Sequence, residues 1–155
     1  MSATASGEWE FVAAPRKSKR FAIGVAALLV VIHLTLALLL RQGSTGVYFR
    51  TADQLAMALI GLVLAGGVLM LTRPQVKVGA RGIAVRNILG EKIVDWDLFE
   101  GLSFPDGAAW ARIELPDDEY MPVMAIQAND REYAVAAVER FRELADRYDV
   151  VPSES

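Results

Sequence analysis

The sequence predicts a membrane α-helical hairpin followed by a small α+β domain, an antiparallel barrel or sandwich of six to seven short strands capped by a C-terminal helix. Three observations carry this. Two long blocks, Phe21–Leu40 and Gln54–Thr72, contain no Asp, Glu, Lys or Arg. From Pro74 onward the apolar residues alternate with polar ones, the period of half-buried strands. After Asn129 the spacing changes to that of one amphipathic helix.

The first block, FAIGVAALLVVIHLTLALLL, has the length of a bilayer core, since twenty residues at about 1.5 Å each rise roughly 30 Å. It has no polar face, unlike a surface helix of a soluble protein. A cleaved signal peptide is the competing reading, and KSKR before the block suits it. The apolar run is too long for that, and RQG follows where small residues mark a cleavage site. The second block, QLAMALIGLVLAGGVLMLT, is close to the minimum length for a span.

Flanking cations set the expected orientation. Arg16, Lys17, Lys19 and Arg20 precede the first block, and Arg73, Lys77, Arg81 and Arg86 follow the second. The intervening segment carries only Arg41 and Arg50. The positive-inside rule therefore predicts a multi-pass protein of the cell inner membrane with both termini cytoplasmic. The resulting division is a flexible polar tail over 1–20, transmembrane helices over 21–40 and 54–72, an extracytoplasmic loop over 41–53, a cytoplasmic domain over 73–150 and a short tail over 151–155.

Inside the blocks, Gly61 and Ala65 form a small-xxx-small pair that suits close helix packing. His33 is the chain's only histidine. An intramembrane ionisable residue is a functional candidate, but neither block offers an acidic relay partner. The expectation is a structural role: a neutral His33 bonded to a backbone carbonyl or hydroxyl, with Gly61 at similar depth leaving room for the ring.

In the C-terminal part, Val76 and Val78, then Ile83 and Val85, read as a hairpin around Gly79-Ala80-Arg81-Gly82. Val94, Trp96 and Leu98 read as a further strand, followed by Leu102 and Phe104, then Ala111, Ile113 and Leu115. Tyr120–Ala128 is the last apolar run, and Pro122 within it suggests an edge or a bulge. Gly82 and Gly90 suit turns that need positive φ. Trp96 fills a core and its indole N–H needs a partner. Asn129 and Glu132 have capping-box spacing, and Tyr133, Ala137, Phe141, Leu144 and Tyr148 line one face of a helix over about 131–148.

The motif Arg81-Gly82-Ile83-Ala84-Val85-Arg86-Asn87, then Gly90, then Val94-Asp95-Trp96, resembles the opening of small bacterial PH-like domains. It is similar to those of actinobacterial membrane-anchored proteins, including the family of the low-molecular-weight antigen 6. The membrane hairpin and Val47-Tyr48-Phe49-Arg50 through Asp53-Gln54 share in this resemblance. It implies a seven-stranded barrel, of which six strands are legible. The seventh is expected between Glu100 and Ala111, or the domain is trimmed. PH domains of eukaryotes often bind phosphoinositides through a basic first hairpin, and Lys77, Arg81 and Arg86 fall on the hairpin read here as first.

Composition narrows the function. There are no cysteines, so disulfide frameworks and thiolate metal sites are excluded. From Arg73 onward ten Lys and Arg face sixteen Asp and Glu, which argues against a nucleic-acid partner. No catalytic constellation, metal site or cofactor motif is legible. Asp117-Asp118-Glu119 lacks the spacing of a calcium loop and reads as a solvated turn. Asp95 and Asp97 read as exposed. The expectation is a non-enzymatic protein in the lipid bilayer whose domain is an interaction or assembly module for a membrane or cytoplasmic protein partner. The alternatives are recognition of anionic lipid by Lys77, Arg81 and Arg86, and an accessory role in a transport complex.

Overall fold

The computed structural model describes residues 9–42 and 48–148 of the chain. The expected loop centre at 43–47 and the tail at 151–155 lie outside them. The chain forms two compact units, one from Ser18–Thr72 and one from the segment ending at Lys17 together with the chain from Arg73 onward.

The first unit is a pair of helices, α1 (Lys17–Gln42) and α2 (Thr51–Leu69), the second running into a 3₁₀ turn at Met70–Thr72. Both are long and apolar enough to cross a membrane, and only 11% of the most apolar stretch of either is buried. Their buried positions are all small: Ala22, Ala26 and Ala37 on α1, Gly61 and Ala65 on α2. Small residues let two backbones approach closely. Near the ends that face the connecting segment, Gln54 Nε2 donates to the Ala37 carbonyl at 2.9 Å, and Arg41 donates to Gln54 Oε1 at 3.2 Å. Asp53 reaches back to accept from the Arg50 N–H at 2.8 Å, satisfying a donor at the start of α2.

The second unit has two antiparallel sheets and a helix. Strands β1 (Phe11–Ala13), β2 (Gln75–Gly79), β3 (Gly82–Arg86) and β4 (Glu91–Val94) form one sheet in that order. Strands β5 (Gly101–Ser103), β6 (Trp110–Glu114) and β7 (Tyr120–Gln127) form the other. Helix α3 spans Glu132–Tyr148. Val76, Val78, Ile83 and Val85 from the first sheet meet Ile113, Val123 and Ile126 from the second, and Phe141 and Leu144 of α3 close the core. Each of these residues is almost fully buried.

Four expectations are corrected. The seventh strand precedes the helices: Phe11, Val12 and Ala13 pair with Val78, Lys77 and Val76. The segment 1–20 is therefore not simply a flexible tail. The alternation Val94, Trp96, Leu98 is not one strand. Strand β4 ends at Val94, and Trp96–Leu98 is a 3₁₀ turn that swings Trp96 toward the core. Asn129 is not the residue at which α3 starts. Residues Ala128–Asp130 form a 3₁₀ turn, and Arg131 at φ 48° redirects the chain before α3 begins. Finally, Gly90 is not among the glycines with positive φ, which are Gly82 and Gly107, and a Cβ at Gly90 would meet nothing within 4 Å.

Candidate functional site

The N-terminal strand is tied to the C-terminal helix region by side chains as well as by its ladder. Asp130 is buried, and its two carboxylate oxygens accept from the backbone N–H groups of Arg16 and Lys17, each at 2.9 Å. These are donors at the start of α1, where helical amides have no intrahelical partner. The Arg16 guanidinium lies 3.9 Å from the centre of the Tyr133 ring, within cation–π range. Glu10 accepts from Arg147 at 2.8 Å and from the Tyr148 hydroxyl. Three anchors on or beside α3 thus hold the segment Glu10–Lys17.

Trp96 has a defined partner. Its Nε1 donates to the Gly79 carbonyl at 3.0 Å, and its ring stacks on Tyr148 and meets Phe99 edge-on. Gly82 has φ 128°, and a Cβ there would lie 2.5 Å from the Val94 carbonyl oxygen. The glycine is required on both counts.

Lys77, Arg81 and Arg86 are distributed over two strands and the turn between them. They belong to β2–β3, which is the second hairpin of the seven strands. The β1–β2 connection is the two-helix segment itself. The register pairs Lys77 with Ala84 and Gln75 with Arg86, so Lys77 and Arg86 share the face opposite the core residues Val76 and Val85. Arg81 sits at the turn, five residues from Arg86, or roughly 16 Å along an extended strand. Arg86 Nε also donates to the Arg73 carbonyl at 3.0 Å.

Asn87, next in the same motif, is a link between sheets. Its Nδ2 donates to the Pro122 carbonyl at 2.8 Å, and its Oδ1 accepts from the Met124 N–H at 3.2 Å. The side-chain amide thereby pairs with two backbone groups on the free edge of β7. Beside it, an open groove of about 700 Å³ runs between the β3–β4 turn and the start of β7. Val85, Ile88, Leu89, Leu115, Met121 and Met124 form its apolar walls, and Glu91, Lys92 and Glu119 its charged edges. This groove was missed in the sequence. The local signal was Ile88 and Leu89, two apolar side chains within a turn, of which Leu89 is 90% exposed.

On the second sheet, Glu114 accepts from Ser103 Oγ at 2.5 Å and from Arg112 Nε at 2.7 Å. The Ser103 hydroxyl first, and the Arg112 guanidinium second, hold its carboxyl below the usual value of 4.5. Asp117 and Asp118, with φ 62° and 58°, make a tight turn before β7. Asp residues tolerate this left-handed conformation better than most. Asp95 and Asp97 are exposed. Among the described residues no group of three His, Asp or Glu is placed to hold a metal ion.

In the helical pair, His33 Nδ1 lies 2.7 Å from the Leu29 carbonyl oxygen, one turn earlier on α1. Its Cβ and Cγ occupy the space beside Gly61, where an added Cβ would come within 2.6 Å and 2.8 Å of them.

A family model described as Bacterial PH domain matches residues 73–144. An uncharacterized protein of Mycobacterium bovis is 52% identical over 144 residues, covering 93% of this chain and 94% of the relative. Uncharacterized proteins from two strains of Mycobacterium tuberculosis match with the same identity and coverage. The match covers 93% of this chain, so it takes in both the helical pair and the domain. No solved structure matches the chain.

Proposed function

This chain belongs to the bacterial PH domain family, and from that premise we propose that it is an integral membrane protein presenting its PH-like domain at the cytoplasmic face as a non-enzymatic protein-interaction or assembly module. One observation carries the reading most strongly. Strand β1 precedes the two helices and pairs with β2, which follows them. Both ends of the helical pair are therefore held in one folded domain. If the helices enter a bilayer, they must return to the side they left. The orientation comes from the cations beside those ends, Arg16, Lys17, Lys19 and Arg20 with Arg73, Lys77, Arg81 and Arg86, which favour the cytoplasm.

A domain fixed at the membrane meets membrane partners at a raised effective concentration. Recognition of anionic lipid by Lys77, Arg81 and Arg86 is the weaker alternative. The usual lipid signature is four to eight clustered cations, and these three are spread over two strands and a turn.

The topology is tested by single cysteines, since the chain has none of its own. With Ser44→Cys or Ala80→Cys in intact cells, a membrane-impermeant thiol reagent should label the first and spare the second. The reverse pattern refutes the orientation. The interaction role is tested by crosslinking the full chain in native membranes. A reproducible protein adduct is expected, and its absence counts against an assembly module.

A further inference from the structure

We propose that the groove between the β3–β4 turn and β7 receives a juxtamembrane segment of a partner membrane protein, one that carries an apolar anchor flanked by Lys or Arg. This deepens the interaction reading above and rests on it.

The argument begins with what lines the groove. Its walls are Val85, Ile88, Leu89, Leu115, Met121 and Met124, and none of the residues lining it comes from α3. The helix that closes the core with Phe141 and Leu144 therefore leaves this mouth uncovered. Leu89 is 90% exposed and Tyr120 58% exposed at its edge. Exposed apolar side chains around a concavity mark a surface suited to an apolar ligand group. Met121 and Met124 add flexible side chains that can reshape around different anchors.

The polar group beside these walls is already used. Asn87 commits one N–H to the Pro122 carbonyl and accepts from the Met124 N–H, which fixes its amide to the β7 backbone rather than toward the groove's rim. Specificity then falls to the charges at the rim. Glu91 and Glu119 line it with one opposing cation, Lys92. Asp117 and Asp118 precede Glu119 in the same exposed turn. Arg86 is the ladder partner of Glu91 and Arg112 lies 5.0 Å from the Tyr120 ring centre, so the excess of acid is concentrated at the Asp117–Glu119 turn, and that end of the rim disfavours an anionic lipid headgroup or an acidic peptide. It complements a cationic segment.

The cytoplasmic flanks of membrane spans have this combined chemistry. They run from apolar residues into Lys and Arg by the positive-inside rule. A membrane-held domain with an apolar groove and an acidic rim is matched to such a sequence.

The test uses the full-length protein in neutral detergent micelles and two fluorescent peptides. One has lysines flanking a Leu-Phe anchor, and the control has glutamates in their place. The lysine peptide should bind about tenfold or more tightly than the control, with affinity falling as salt rises. Leu89→Ser, at a site too exposed to matter for folding, should weaken it about tenfold. Glu119→Lys should weaken it less and flatten the salt dependence. Equal binding of the two peptides, or binding untouched by both substitutions, overturns the proposal. So does preferential binding to phosphatidylglycerol vesicles that is lost on Leu89→Ser, which would make the groove a lipid site. Should the proposal fall while crosslinking in membranes still captures a protein, the assembly role stands and uses another surface. Should the lysine peptide bind as expected while no membrane protein is captured, the groove's preference for a cationic apolar segment stands, but both the assembly role and its assignment to a partner membrane protein are overturned.

Discussion

Ala13 and Val76 face one another across the β1–β2 ladder, although two apolar helices separate them in the chain. Ala13 is 1% exposed and belongs to the core of the PH-like domain. Without its strand, β2 would become an unpaired sheet edge. Ala13→Asp places a carboxylate with no partner in that core and should destabilise the domain by about 3 kcal/mol. Chemical denaturation of the detergent-solubilised protein, followed by tryptophan fluorescence, measures this. An unchanged midpoint would mean that β1 contributes nothing to the fold.

Asp130 should be worth about 1–2 kcal/mol through the two amides it caps at Arg16 and Lys17. Asp130→Ala removes both acceptors, while Asp130→Asn keeps one. The expected order of stability is wild type, then Asn, then Ala. Amide hydrogen exchange at Arg16 and Lys17 should rise in the same order.

Trp96→Phe keeps the aromatic ring but loses the bond to the Gly79 carbonyl. A loss of about 1 kcal/mol is expected. Gly82→Ala is the harsher change, because it combines φ 128° with a 2.5 Å approach to the Val94 carbonyl oxygen. It should cost about 2–3 kcal/mol. Equal effects from the two substitutions would contradict this ranking.

These residues also show what was legible in the sequence and what was not. The apolar helices were plain because an unbroken uncharged run reports its own length. The β2–β3 hairpin and α3 were plain because each repeats a period several times. Strand β1 was hidden because three residues carry no period, and its partner lies beyond both helices. The 3₁₀ turn at Trp96–Leu98 was hidden for the opposite reason: Val94, Trp96 and Leu98 imitate a strand. The role of Asn87 depends on the distant backbone of Pro122 and Met124, which no local pattern contains. The groove is likewise made from two segments that meet only in the folded chain.

Gly61 and His33 should be strongly coupled. Gly61→Ala drives a methyl against His33 Cβ and should loosen the helical pair. His33→Gly removes that Cβ along with the ring, so the double substitution should be less harmful than the sum of the single ones by about 1 kcal/mol. Thermal unfolding in detergent provides all four corners of the cycle. Strict additivity would deny the contact.

Glu114 predicts a small pH dependence. Its folded carboxyl is held low by Ser103 and Arg112, so its stabilisation is present above about 4.5 and is lost as pH falls through the lowered folded value. Glu114→Gln should therefore narrow the difference from wild type on acidification. A gap that widens at low pH would give the wrong sign.

The central claim is that the two helices are inserted into one domain, between β1 and β2. Oxidation of the paired variant Val12→Cys with Lys77→Cys, in native membranes and with a protease site inserted at 43–47, tests it most directly. These two residues are ladder partners, and the chain has no other cysteine to compete. The predicted result is a species of monomer mass whose two fragments stay joined after proteolysis until a reductant is added. Fragments that separate without reductant would contradict the inserted arrangement.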